Sequence, residues 1–418
     1  MIQYLLTLAL LLCTCAAAAQ ELPNDLSDEE KIYAVSKVWK EVDKNFVFFD
    51  QVPDLDWDSV YQAFIPRVLA TTSTYDHFKE LQRMVSLLRD GHTRVVVPSQ
   101  LRRELEARPP VVTERFGDRV VVTEIRNDTV RRQGLREGMV VTAIDGIAVD
   151  DYAADYVIPY MFYSTEQDLL VQAYHHHLLR GPRDTPVKLT TEGGRTFTVR
   201  RDLSMQNQRR PAYEFEVLDG NVGLLTLHRF QGDNLNEQFD SLYPALRQTD
   251  ALLIDISVNR GGNSGFAAYV MSHFYDRPVE TSRWKTIQYM PAYASYGDTL
   301  AWKDHGGWVV DPVEEGKRYL KPVALLISER TYSAGEDLAS AFATSDRGSL
   351  IGRPTAGSTG NPIGFSLPGR GGLQVCTKRD YMADGREFVG YGIAPDVVVD
   401  KRIEQGELIE AGLRSLQK

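Results

Sequence analysis

The sequence predicts an α/β multidomain protein, and three observations carry that prediction. Residues 27–90 keep a helical period, and the stretch from about 111 to 200 changes to short alternating strands. The last two hundred residues alternate strand with helix. A chain of 418 residues has room for two or three domains at roughly 100–200 residues each. With 43% hydrophobic and 25% charged residues it can bury sizeable cores like an ordinary globular protein. Its net charge of -10 argues against nucleic acid, which needs clustered Lys and Arg to neutralise phosphates.

The chain opens with "MIQYLLTLALLLCTCAAAAQ" and turns polar at once. Residues 1–19 therefore read as a secretory signal peptide with an Ala-x-Ala-type cleavage near Ala17–Ala19. An uncleaved anchor is the rival reading, set against by a run shorter than the ~20 apolar residues of a spanning helix. Lipidation of Cys13 or Cys15 is another, set against by Leu12 and Thr14 before them. Only such a leader would bring the chain near a membrane; the expected location is periplasmic or extracellular. Once the leader is removed, Cys376 is the sole cysteine, so no internal disulfide can form. Its place in "GGLQVCTKRDY" suits a small buried hydrophobe.

Residues 27–98 form a helical module. Ser27 with Glu30 three residues on makes a capping box, and the last helix should end at "RDGHT" with Gly91 as C-cap. A β module follows over 105–205, with strands in "RVVVTEI" and "MVVTAIDG" and a hairpin turning at Gly193-Gly194. The helical stretch "DYAADYVIPYMFYSTEQDLLVQAYHHHLLRGP" interrupts it. His175, His176 and His177 there point about 100° apart on a helix and cannot converge on one ion, so they read as surface and no metal is expected. Residues 212–410 form an α/β core: "VGLLTLHRF", "ALLIDIS" and "VALLIS" are continuous apolar strands, the mark of a largely parallel sheet.

Chemistry gathers where loops leave the carboxyl ends of such strands. "ALLIDI" runs into "SVNRGGNSG", where Gly261-Gly262 lets backbone approach a ligand and turn N–H groups toward it. "VALLIS" runs into "ERTYSAGE", placing Ser333 at the positive end of a helix. By itself Ser333 suits an N-cap as well as a nucleophile. A serine hydroxyl needs a base, and of eight histidines His92 stands out in its Gly-turn, with His228 ending a strand of the core.

The motifs "LLRDGHTRV", "GLREGMVVTAIDG", "ALLIDISVNRGGNSG", "ERTYSAGEDLASAF", "LIGRPTAGSTGNP" and "GREFVGYGIAPDVVV" occur in an order that resembles the S41 serine peptidases, the C-terminal processing and tricorn core peptidases. The resemblance covers nearly the whole chain after the leader and implies a nucleophile at Ser333. It implies an oxyanion hole from Gly262 and Ala334, beside Gly261. "GLREGMVVTAIDG" resembles part of a PDZ domain, with Met139 in place of the usual Asp. The processing branch carries a lysine in the Gly-rich segment after the nucleophile helix, and "GRPTAGSTGNP" has none. The resemblance therefore points to the His-base branch, with His92 as base and Gly91 where tricorn has a serine. The orienting acid is expected in "GREFVGYGIAPD", where Glu387 is the only glutamate. The expected function is an exported serine endopeptidase acting on peptides or unfolded proteins without a cofactor. The alternative is a catalytically silent peptide- or ligand-binding protein, since the same fold resembles retinoid-binding repeats. Nothing in the sequence sets an oligomeric state. The aromatic segment 282–308 reads equally as a cleft lining and as a hairpin over a sheet edge.

Overall fold

Alternate residues of the apolar strands face opposite ways, and in the α/β core both faces are buried. The computed structural model describes residues 25–205, 211–297, 301–399 and 405–417; the leader lies outside them. The central sheet runs in the order Val397–Val398, Ser349–Gly352, Val323–Ile327, Ala251–Asp255, Val222–Leu227, Tyr213–Leu218. All neighbours are parallel except the last pair. Leu252, Ile254, Val323, Leu325 and Ile327 face one side with the helix Ala334–Thr344. Leu253, Ala324 and Leu326 face the other, against the helix Gln405–Leu416. Continuous apolar strands follow directly from that two-sided burial.

The helical module does not stand apart. Val35, Val38, Phe78 and Leu81 from its helices share one hydrophobic core with Leu225, Leu252 and Ile254. Strand Arg94–Val96 then pairs antiparallel with Gly371–Val375, which pairs with Ile363–Leu367. This three-stranded sheet ties the residues just after His92 to the α/β core. The capping box at Ser27 is formed, Glu30 N donating to Ser27 Oγ at 3.3 Å and Ser27 N to Glu30 Oε2 at 3.0 Å.

The β module has its own core, built on Val111, Val120, Val122, Leu189 and Phe197. Its main strand path is Val111–Phe116, Arg119–Ile125, Val140–Ile144, Val187–Thr191, Thr196–Val199. Gly193 and Gly194 make the expected turn with φ of 87° and 80°. The insertion folds as helices Val149–Tyr156 and Glu166–Leu170, continued by a π-helix over Val171–His177. Segment 282–308 is a hairpin, Val279–Gln288 pairing with Ala301–Val310, and its Trp284 and Trp308 also line a cavity. The hairpin is formed, extended by pairing of Val279–Gln288 with Arg379–Tyr381, and the cavity its tryptophans line is one that Ser333 also lines. Among the described residues no helix is long and apolar enough to cross a membrane.

Candidate active site

Two strand–loop–helix junctions of the sheet meet. After Ala251–Asp255 the loop is held by Asn259, whose Nδ2 donates to Leu227 O at 2.8 Å and whose Oδ1 accepts from Gly261 N at 2.7 Å. Tyr332 N donates to Asn259 O at 2.9 Å, which locks the second junction onto the first. A Cβ on Gly261 would stand 2.7 Å from Ser333 Cβ and from Ala334 N; one on Gly262 would stand 2.2 Å from Phe230 O. Both residues also have positive φ, 82° and 137°, so only glycine fits. The Gly261 amide is already spent on Asn259, which corrects the expectation that it faces an oxyanion. The N–H groups of Gly262 and Ala334 find no intramolecular acceptor among the described residues. Ala334 stands at the first helical position, where none is available within the helix.

Ser333 adopts φ 54°, ψ -125°. The serine and threonine caps elsewhere, Ser27, Ser73 and Thr165, are all extended, with φ between -66° and -140°. A non-glycine residue in this region costs about 1–3 kcal/mol and persists only where its surroundings enforce it. The enforcing group is Glu336, fully buried. Its carboxyl oxygens lie within hydrogen-bond distance of Ser333 N (3.2 Å), Gly357 N (2.7 Å), Ser358 N (2.9 Å) and Thr355 Oγ1 (2.5 Å). Burial pushes this carboxyl up to about 8, opposed by these hydrogen bonds. Ser333 N also donates to Ser358 O at 3.0 Å. The Ser-x-x-Glu spacing was visible in the sequence, but it describes a simple helix cap equally well.

His92 is brought to the same place. It and Ser333 line one cavity of about 990 Å³, and Ser333 also lines a second of about 660 Å³ with Gly262 and Trp284. The His92 ring stacks on Tyr332, centroids 5.1 Å apart at 20°. Its Nδ1 lies 3.0 Å from Ser358 Oγ. Burial, helped by the charges of Arg94 and Lys378, lowers the imidazole to about 3. Ser358 Oγ continues to Tyr332 OH at 2.8 Å and Ser164 Oγ at 2.9 Å, and Ser164 Oγ to Asp90 Oδ1 at 3.4 Å. Ser164 N donates to Asp168 Oδ2 at 3.1 Å, and burial pushes that carboxyl up to about 6.

Several expectations change here. Glu387 does not face His92: its carboxylate takes Arg379 Nε and Nη2 at 3.0 and 2.7 Å, with Lys285 Nζ at 3.9 Å. Gly91 does not cap a helix, which ends earlier at Ser86. It is glycine because a Cβ there would meet Tyr332 OH at 2.2 Å and Ser358 Oγ at 2.7 Å. The serine that tricorn would carry before the histidine has no room, and Ser358 supplies a hydroxyl from another segment. The three histidines are half-buried, not on the surface, and His176 and His177 line the larger cavity. His228 is paired with Glu214 at 3.0 Å. Sequence reading missed Tyr332, Ser358, Ser164 and Asp90, because polar loop residues far apart in the chain carry no periodic signal.

A fully buried glutamate holding a serine in a glycine-type conformation, with free amides and a neutral histidine about it, is the architecture of a serine hydrolase. Residues 221–399 match the model of Peptidase family S41. The chain is 24% identical over 396 residues to a carboxyl-terminal-processing protease of Picosynechococcus sp., covering 89% of this chain and 84% of that one. It is 25% identical over 300 residues to a carboxy-terminal-processing protease of Bartonella bacilliformis, covering 68% of this chain but only 59% of that longer protein. In fold it is similar to the photosystem II D1 C-terminal processing protease (TM-score 0.55, 20% identity, 93% and 97% of the two chains). It is likewise similar to mature CPAF (TM-score 0.69, 15% identity, 93% and 97%). The chain is an enzyme, a serine-type peptidase whose residues 221–399 match family S41, and the silent-binder alternative is not favoured.

Proposed function

We propose that this chain is an exported endopeptidase in which Ser333 is the nucleophile and His92 its general base. With Nδ1–H donated to Ser358 Oγ, the neutral ring keeps the lone pair of Nε2 for the Ser333 proton. Ser333 Oγ then bonds to the peptide carbonyl carbon, and the Gly262 and Ala334 N–H groups hold the oxyanion. The imidazolium returns its proton to the leaving amine, the C–N bond breaks, and water releases the acyl group by the same base. The observation that carries this reading is the φ 54°, ψ -125° backbone of Ser333 on a cavity it shares with His92.

Lys378 is the rival base, since it lines the smaller cavity with Ser333. It is tied to buried Asp380 at 2.9 Å, and that partner holds its ammonium above the ordinary lysine range. A lysine kept protonated cannot take a proton, which favours His92. Export is proposed from the apolar leader alone. A fluorophosphonate probe tests the nucleophile and base. Labelling of wild type that vanishes in Ser333→Ala, falls sharply in His92→Ala and survives in Lys378→Met is the expected pattern. Labelling lost in Lys378→Met but kept in His92→Ala would overturn the assignment of the base.

A further inference from the structure

The cavity that holds His92 and Ser333 is basic in an acidic protein. Its wall carries Lys79, Arg94, Arg102, Arg180 and Arg260 against one carboxylate, Glu106, while the chain as a whole has a net charge of -10. Glu106 is already engaged, 3.7 Å from Arg180. Lys79, Arg94, Arg102 and Arg260 have no carboxylate within ion-pair distance among the described residues. Like charges gathered on one concave wall repel one another and concentrate counterions there.

Arg260 stands closest to the chemistry. It directly precedes Gly261, whose Cβ would touch Ser333. Its guanidinium lies over the Tyr332 ring, 5.7 Å from the centroid, and Tyr332 stacks on His92. It also contacts His176 Nε2, and the nearby carboxyl of buried Asp168 acts on it through space without an ion pair within 4 Å among the described residues. Arg260 as a whole residue is exposed in the cavity, while the protein around its charged end lowers the guanidinium below the ordinary arginine range by burial. Arg94 lines the same cavity, exposed and with its Nε bonded to Gln374 Oε1 at 2.6 Å.

We infer that this cavity recognises a carboxylate of the peptide substrate, with Arg260 as the principal contact and Arg94 beside it. The inference rests on the peptidase reading of the site but is read out without catalysis. The carboxylate is an Asp or Glu side chain near the cleaved bond, which brings a planar acceptor to a guanidinium fork.

The test uses the full chain carrying Ser333→Ala and fluorescent peptides that differ only as Glu or Gln, each with a free or amidated C-terminus. Anisotropy should show the Glu peptides bound about tenfold tighter than their Gln counterparts, the scale of one charge-assisted hydrogen bond. The advantage should shrink as salt screens it. It should fall in Arg260→Gln and in Arg94→Gln, and largely return in Arg260→Lys. Preference for Glu within amidated peptides supports the inference, and a preference confined to free C-termini overturns it. Equal affinity across all four peptides overturns the inference. Competition of the same peptides against fluorophosphonate labelling of wild type gives the second measurement should the alanine variant fold poorly. Tight acidic-peptide binding without labelling or cleavage by wild type would sink the peptidase mechanism and leave this site standing.

Discussion

Replacing Ser358 by alanine removes one oxygen that three side chains share. His92 Nδ1 at 3.0 Å, Tyr332 OH at 2.8 Å and Ser164 Oγ at 2.9 Å all lose a partner, while the backbone bonds of residue 358 to Glu336 and Ser333 remain. One neutral hydrogen bond contributes about 0.5–1.5 kcal/mol net, and leaving partners unsatisfied raises the cost to about 1–3 kcal/mol. If that cost falls on the orientation of the imidazole, kcat drops by roughly 5–150-fold, at 1.36 kcal/mol for each factor of ten. KM should change little, because Ser358 does not line either cavity. The assay is steady-state hydrolysis of a fluorogenic peptide by wild type, Ser358→Ala, Ser358→Thr and Glu387→Gln, with melting temperatures measured alongside. Threonine keeps the hydroxyl and should recover part of the loss. A Ser358→Ala enzyme with wild-type kcat, together with a Glu387→Gln enzyme that has lost it, would refute the orientation of His92 by Ser358.

Two further outcomes follow from the same geometry. The His92 imidazole sits at about 3 in the folded chain against an ordinary 6.5. Folding therefore favours the neutral ring, so its contribution to stability is present above about pH 6.5 and is lost as pH falls toward 3. The acid limb of kcat/KM, which reports the free enzyme's base, should stay flat through about pH 6.5 and bend only below about pH 5. A limb centred near 6.5 in a pH-jump assay, on protein shown to be folded, would contradict the burial of that ring. Gly91→Ala would place a methyl 2.2 Å from Tyr332 OH. A folded protein with fluorophosphonate labelling slowed at least about tenfold is expected, because the His92 turn must shift; unchanged labelling would show that the turn yields freely.

Both junction strands could be read directly from the chain. Apart from Asp255 and Ser328 near their ends, "ALLIDI" and "VALLIS" are apolar because helices cover both faces of a parallel sheet, and burial at the single-residue level repeats the pattern. Gly261 and Gly262 were equally legible, since few reasons other than close approach place two glycines after such a strand. His92 was found as the histidine in a punctuated turn. The orienting partner was not, because Ser358 and Ser164 lie 194 residues apart and each is only a polar residue in a loop. Glu387 was chosen for its motif and is taken by Arg379 and Lys285, charges whose proximity depends on the pairing of Val279–Gln288 with Arg379–Tyr381. Helical angles put the histidine run on the surface, whereas the segment continues as a π-helix and His176 and His177 line the cavity.

The sequence by itself determined the order of the elements, the two-faced sheet, the Gly261-Gly262 pair and the residue types at the strand ends, because these depend on local periodicity and on steric demands of single residues. Whether Ser333 merely caps a helix was decided only in three dimensions, since a cap and a strained nucleophile share the same letters and differ in φ and ψ. The hydroxyl network on His92 and the basic wall around it were decided there too. Hydrogen bonds reach about 3 Å and charges act over several ångströms of space, and neither distance is encoded by separation along the chain.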